Sequence, residues 1–270
     1  MASKDDDYVF TRDFLDNTRI NLMHHIWTKM FGYNVHPHIP SDKPGLRVAD
    51  IGTGTGIWLL DVHDQLKDAQ LDGLDVSFDA APPTHILPPG VTLRHWDVKA
   101  DVPEDLVGVY DIINVRFLAY VLLNDQVLEV VKKLFSLLKP GGYIQWGEAD
   151  LDTLRFDKTT PEGSTTAMTE LYKLLAVQDP RLKPTWIAKL PELLLEAGFV
   201  EVEKDSQDAR PHLAFIFFEA SLMIHELVAR KTKNENMARE LKRLLPRAVD
   251  ETKQGSYGTS LRYTVIGKKP

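Results

Sequence analysis

At 270 residues, 43% of them hydrophobic, the chain is long enough to bury one large core with an appended cap. A formal net charge of −7 argues against a nucleic-acid backbone as the main partner, and with no cysteine neither a disulfide nor a thiolate metal site can form. The acidic start, Met1 to Asp7, lacks the apolar core of a signal peptide, and no run of ~18 uninterrupted apolar residues marks a membrane span, so a cytoplasmic protein is expected.

In chain order, Thr11 is predicted to cap a helix reaching about Phe31, with Asp13 and Asp16 near its positive end. Leu15, Leu22, Ile26 and Met30 make its apolar stripe. Asn17, Asn21, His24 and Thr28 make a second stripe, polar but uncharged, flanked by Arg19 and His25. That face is either ordinary surface or the side that closes over a ligand. Gly32 ends the helix, and the loop from Tyr33 to Gly45 leads into a strand, Leu46 to Ile51. Within that loop His36 and His38 lack acidic or cysteine companions at metal spacing and read as loop residues.

The densest motif follows: Asp50-Ile51-Gly52-Thr53-Gly54-Thr55-Gly56, between an apolar strand and a helix running to about Lys67. Strand, glycine turn and helix N-terminus form the place where an α/β sheet binds a ligand. The third glycine comes one residue too early for the dinucleotide fingerprint G-x-G-x-x-G. The turn is either purely structural or left bare so that a bulky nucleoside can approach the backbone. The next strand, Gln70 to Asp75, runs into Val76. Asp75 lies 19 residues after Gly56, where an acid at a strand tip can accept from both hydroxyls of a ribose.

Four prolines between Phe78 and Gly90 preclude a regular crossover helix. A strand at Val91 to His95 then places Asp97 to accept from an adenine amino group with apolar Val98 beside it, unless Asp97 is a turn or capping residue. The strand Tyr110 to Val115 carries Asn114 and delivers Arg116 and Phe117 to the crevice beyond its carboxyl end. Arg116 there holds a ligand carboxylate or the acceptor, or pairs with a surface acid. Asn124 or Asp125 is expected to cap the following helix, which ends at Leu138-Lys139-Pro140-Gly141-Gly142 before another strand. Alternation puts Trp146 and Glu148 on one face of that strand and Gln145 on the other. Trp146 either attracts a cation through its ring or is plain core, and Glu148 could orient a nucleophile.

Helical patterns follow at Thr165 to Gln178 and at Thr185 to Glu196, the latter restarted at Pro191 and stopped by Gly198. Two last strands, Phe199 to Asp205 and Ser260 to Ile266, enclose about fifty residues of helical pattern. The apolar run Leu213 to Phe218 in that insert must be buried, in an acceptor pocket or against another subunit. His212 and His225 stand there too, each a core or surface histidine or a site residue, and His212 is retained as a candidate acceptor contact.

Asp50 to Gly56, Asp75, Asp97 and Lys139 to Glu148 together resemble the class I S-adenosylmethionine-dependent methyltransferases in order and separation. More narrowly, Tyr8-Val-Phe with Arg19 to His25, Gly52 to Trp58, and Gly142 to Trp146 look like fungal secondary-metabolite methyltransferases of the gliotoxin-pathway N-methyltransferase type and, more distantly, LaeA-type regulators. The resemblance implies an α/β fold: a seven-stranded Rossmann-like sheet with helices on both faces. It also implies an N-terminal helical cap (1–45) and a methyltransferase domain (46–270) with helical insertions at about 155–185 and 210–255.

S-adenosylmethionine would be the methyl donor and a small natural product the acceptor, methylated on nitrogen or oxygen. Cofactor contacts would come from Tyr8, Arg19, Asp50, Gly52, Thr53, Gly54, Gly56, Asp75, Val76, Asp97, Val98, Asn114 and Arg116. Acceptor contacts would come from Asn21, Phe117, Trp146 and His212. A base, where one is needed, would be His24, His25 or Glu148. There is no acid at the end of the fourth strand and no Asp-Asn pair after the fifth, so no metal is expected. Neither a nucleic-acid nor a membrane partner is expected, and a homodimer is left open. The rival readings are a LaeA-like regulator or protein methyltransferase, and a fold that binds the sulfonium cofactor without transferring its methyl.

Overall fold

A computed structural model describes residues 12–66 and 68–270. Helix α1 (Phe14–Phe31) is capped by Asp13, whose carboxylate accepts from the Leu15 and Asp16 amides, and it is closed by Gly32 at φ 83°. The expected cap, Thr11, lies outside the described residues. Strand β1 (Arg47–Ile51) leads through the glycine turn into α2 (Ile57–His63), and β2 (Gln70–Asp75) and β3 (Val91–His95) follow. The proline-rich crossover between them holds only a short 3₁₀ turn, Thr84–Ile86.

Strand β4 (Tyr110–Arg116), helix α3 (Val127–Leu137) and β5 (Leu138–Ala149) complete the parallel part of the sheet. No side chain caps α3; Asn124 instead accepts from the Thr185 amide and ties two loops together. The Pro-Gly-Gly turn survives as a bulge: Tyr110 pairs with Leu138 and Ile112 with Tyr143, so the four residues between loop out, with Gly141 at φ 79°.

The remaining elements are β6 (Arg155–Lys158), α4 (Thr166–Ala176), α5 (Leu190–Glu196), β7 (Val200–Asp208), α6 (Pro211–Lys231), α7 (Glu235–Lys253), β8 (Ser256–Thr259) and β9 (Leu261–Lys268). The main sheet has the order β3-β2-β1-β4-β5-β9-β7, with β9 antiparallel to both neighbours. The small β6–β8 pair is the one piece of sheet with no counterpart in the sequence expectations. Parallel β1 and β4 are the point from which successive strands are added outward on opposite sides, and a crevice opens at their carboxyl ends.

Apolar side chains gather in three clusters. One lies between the sheet and α3 and α5, and another between the sheet and α2. The third joins Trp27 and Phe31 of α1 to Leu171 of α4, Phe217 and Phe218 of α6, and Leu241 of α7. Three segments far apart in sequence thus share one core and form a single helical cap. The apolar run Leu213–Phe218 is spent there: Leu213, Ala214, Phe217 and Phe218 are buried, while Ile216 is exposed. By length and composition α6 could cross a membrane, but most of its apolar stretch is packed inside this cap.

Candidate active site

At the crevice the chain turns sharply because Gly52, Gly54 and Gly56 all have positive φ (69°, 54° and 73°), a region that penalises any Cβ. The turn is braced from both strands. Asp50 accepts from Thr53 Oγ1 at 2.8 Å and from Asn114 Nδ2 at 2.7 Å, so its two oxygens hold the loop and β4 together. Burial pushes its carboxyl up to about 6. Asp75 accepts from the Gly54 amide at 2.9 Å and the Ser77 amide at 3.1 Å, and burial raises its carboxyl as well. The second strand tip is therefore an acid aimed at the glycine backbone.

Farther along the crevice, Val76 is exposed, while Val98 and Trp96 are buried and the Trp96 indole is turned inward to the Asp101 carbonyl. Asp97 is half-buried and accepts from the Lys99 amide through one oxygen.

The uncharged polar stripe of α1 turns toward the glycine loop and α2. Thr55 donates to Asn21 at 2.6 Å, His24 Nε2 meets Asp61 of α2 at 2.7 Å, and Thr28 donates to Asn34 at 2.8 Å. At its N-terminal end Asn17 Oδ1 is buried without a hydrogen-bond partner among the described residues. Of the two readings of this stripe, closure over the crevice is the one its contacts match. Arg116 completes the clasp by donating to His24 Nδ1 across a separation of 92 residues. With both ring nitrogens engaged, and its imidazole lowered to about 4 by burial and by Arg116, His24 is a neutral strut and has no free lone pair for a base.

Two further expectations, Trp146 and His212 as acceptor contacts, need correction. Trp146 is fully buried in the sheet core, stacked edge-on against Trp186, and does not face the crevice. His212 is exposed at the start of α6 and does not line the pocket described below. Arg19 is buried with Nε and Nη2 on Asp16 (2.8 and 2.6 Å) and Nη1 on Met23 Sδ. Tyr8 lies outside the described residues. His25 is exposed beside His24, and together with Asp61 the pair forms a cluster with ligand atoms within 4.8 Å. Both nitrogens of His24 are already used there, so a metal would first have to displace Asp61 or Arg116.

Glu148 sits where β5 ends, as alternation requires, with Trp146 Nε1 donating to it at 2.9 Å. The same oxygen, Oε1, accepts from the Leu118 amide at 2.7 Å and the Ala119 amide at 3.2 Å, fixing the turn after β4 in which Phe117 adopts φ 61°. Burial pushes the carboxyl up to about 8, so at neutral pH it is mostly a protonated anchor. A carboxyl raised on folding contributes stability that is complete below about 4.5 and is lost as pH climbs to about 8. His24 and His225, both lowered to about 4, act oppositely: their contribution is complete above 6.5 and is lost as pH falls through 4. Glu148 is raised further than Asp50, to about 8 against about 6, so between pH 6.5 and 8 the wild-type urea midpoint should fall more steeply than that of Glu148→Gln.

Beside Glu148 a cleft, partly open to solvent, lies between sheet and cap. Met23, Phe117, Phe217, Phe218 and Ile224 give it apolar walls, and Tyr120, Tyr172 and Arg262 add polar groups. Sequence reasoning named Phe117 and Glu148 here but missed Tyr120, Tyr172 and Arg262, which come from elements with no recognisable motif.

A family model described as a methyltransferase domain matches residues 22–203, more than half of the chain. The chain belongs to that methyltransferase family. S-adenosylmethionine is the methyl donor the family assigns, and the glycine cradle with its facing acid fits such a group. Methyltransferase grgD of a Penicillium species is 38% identical over 50% of this chain and 50% of its own length. N-methyltransferase tcpN of Claviceps purpurea is 25% identical over 77% of this chain and 74% of its own. The match therefore spans about half of grgD and about three quarters of tcpN. Among solved structures, phosphoethanolamine N-methyltransferase 2 of Haemonchus contortus has a TM-score of 0.52 at 16% identity, over 96% of this chain and 60% of that one, a likeness of fold alone.

Proposed function

We propose that this methyltransferase-family chain transfers the methyl group of S-adenosylmethionine to a nitrogen of a small natural product in the cytoplasm. The reading rests on one observation: an apolar, aromatic-lined cleft opens beside the turn after β4, whose Leu118 side chain stands 3.1 Å from where a Gly52 side chain would start. The acceptor class follows tcpN, itself named an N-methyltransferase.

When bound, S-adenosylmethionine supplies an activated methyl on sulfur, so alignment is the main task left to the protein. Asp75 and the side-chain-free backbone of the glycine turn would hold the ribose and the methionine part, and Asp97 with Val76 would hold the adenine. Asp50 keeps the loop in shape through Thr53 and Asn114. Helix α1, clasped by Asn21, His24 and Arg116, excludes water from above. An amine that arrives neutral needs no base, which suits a site where His24 is fully bonded and Glu148 is protonated.

Incubation of the purified chain with methyl-labelled S-adenosylmethionine and a panel of amine-bearing metabolites tests the proposal. Label in a small product supports it. Label in protein would instead favour the LaeA-like reading, and conversion of a metabolite with the donor intact would favour non-methylating chemistry.

A further inference from the structure

The cleft between sheet and cap has apolar walls, yet Arg262 of β9 is built into it at 3% exposure. Its Nη1 donates to the Ser260 carbonyl at 2.8 Å and its guanidinium lies 4.0 Å from the centre of the Phe217 ring. Nε has no acceptor, and no carboxylate among the described residues pairs with this guanidinium. Asp208, the acid that acts on it through space, lies on neighbouring β7 with both oxygens bonded to Arg155, at 3.0 and 2.8 Å. Thr259, also in the cleft, has a buried hydroxyl with no partner. Glu148, the remaining acid in the cleft, is bonded through Oε1 to the turn after β4.

A buried cation without an anion costs several kcal/mol, whereas a planar fork of N–H donors matches the two oxygens of a carboxylate. Two unpartnered donors within one apolar cleft describe the missing group. We propose that Arg262 and Thr259 bind a carboxylate on the acceptor molecule, so that the preferred substrates are acids with an aromatic or aliphatic body, anchored at the cap end of the cleft. The inference rests on the reading of this cleft as the acceptor site. It adds the chemical class that the cleft selects.

The pair phenylacetate and phenylacetamide, equal in shape and different in charge, tests it by ligand-observed NMR on chain saturated with S-adenosylhomocysteine. Phenylacetate should bind at least about tenfold tighter than the amide, the size of one charged hydrogen bond. Arg262→Met should abolish that preference and Arg262→Lys should keep part of it, with S-adenosylhomocysteine affinity unchanged in both. Arg262→Met should also raise the thermal midpoint, because an unpaired buried cation has been replaced by an apolar chain of similar length. Equal binding of acid and amide, a preference that survives Arg262→Met, or a lowered midpoint marking Arg262 as a structural strut would overturn the proposal. Failure of the wild-type chain to bind S-adenosylhomocysteine would overturn the broader reading and this one with it.

Discussion

Asp75→Ala should weaken S-adenosylhomocysteine binding by roughly 100-fold, about what two hydrogen bonds to a charged acceptor contribute. The carboxylate stands at the tip of β2 with Gly54 and Ser77 amides already on it, so its removal acts twice. It deletes the acceptor for a ribose diol and frees a glycine turn that three positive φ angles make costly to hold. Asp75→Asn should lose nearly as much, because whichever way the amide lies, its NH2 faces a backbone donor. Isothermal calorimetry checks the affinity, and far-ultraviolet circular dichroism checks that the variants fold. An unchanged affinity would remove Asp75 from the ribose site.

Arg116→Met should cost about 1.5–3 kcal/mol of stability, the range for a hydrogen bond to a charged group, because His24 Nδ1 is left buried without its donor. Burial brings the Arg116 guanidinium down to about 10, and the carboxylates of Asp50 and Asp61 act on it through space in the opposite sense. Without it, His24 Nδ1 loses its donor, and the links from α1 to the crevice through Asn21–Thr55 and His24–Asp61 remain. Guanidinium denaturation measures the loss. A second readout separates cap from core: Trp27, packed 2.8 Å from where a Gly147 side chain would start, should become accessible to fluorescence quenchers before the sheet unfolds. A variant as stable as wild type, with Trp27 still shielded, would mean that Arg116 is not the clasp.

Much of the scaffold was legible because its signals are local. An apolar run ending in Asp50 and three alternating glycines specify strand, turn and helix within about ten residues, and the bounds of β2 and β3 match those read from periodicity. Alternation also sent Trp146 and Glu148 to one face and Gln145 to the other, where it bonds Asn34 and Asn114. Caps were less legible: Asp13 caps α1, the expected Thr11 lies outside the described residues, and Asn124 bonds Thr185 without capping α3. Any short polar side chain near a helix start can cap, and the backbone path decides which one does.

By itself, then, the sequence determined the doubly wound sheet, the glycine turn and the acids at its strand tips, since each depends on neighbours along the chain. Only the tertiary structure decided that His24 is a strut between Asp61 and Arg116, that Trp146 is core, and that Arg262 lies unpaired in the cleft. Those roles depend on partners 37, 92 or more residues away, chosen by how the cap packs on the sheet, and no periodicity encodes a contact across that distance.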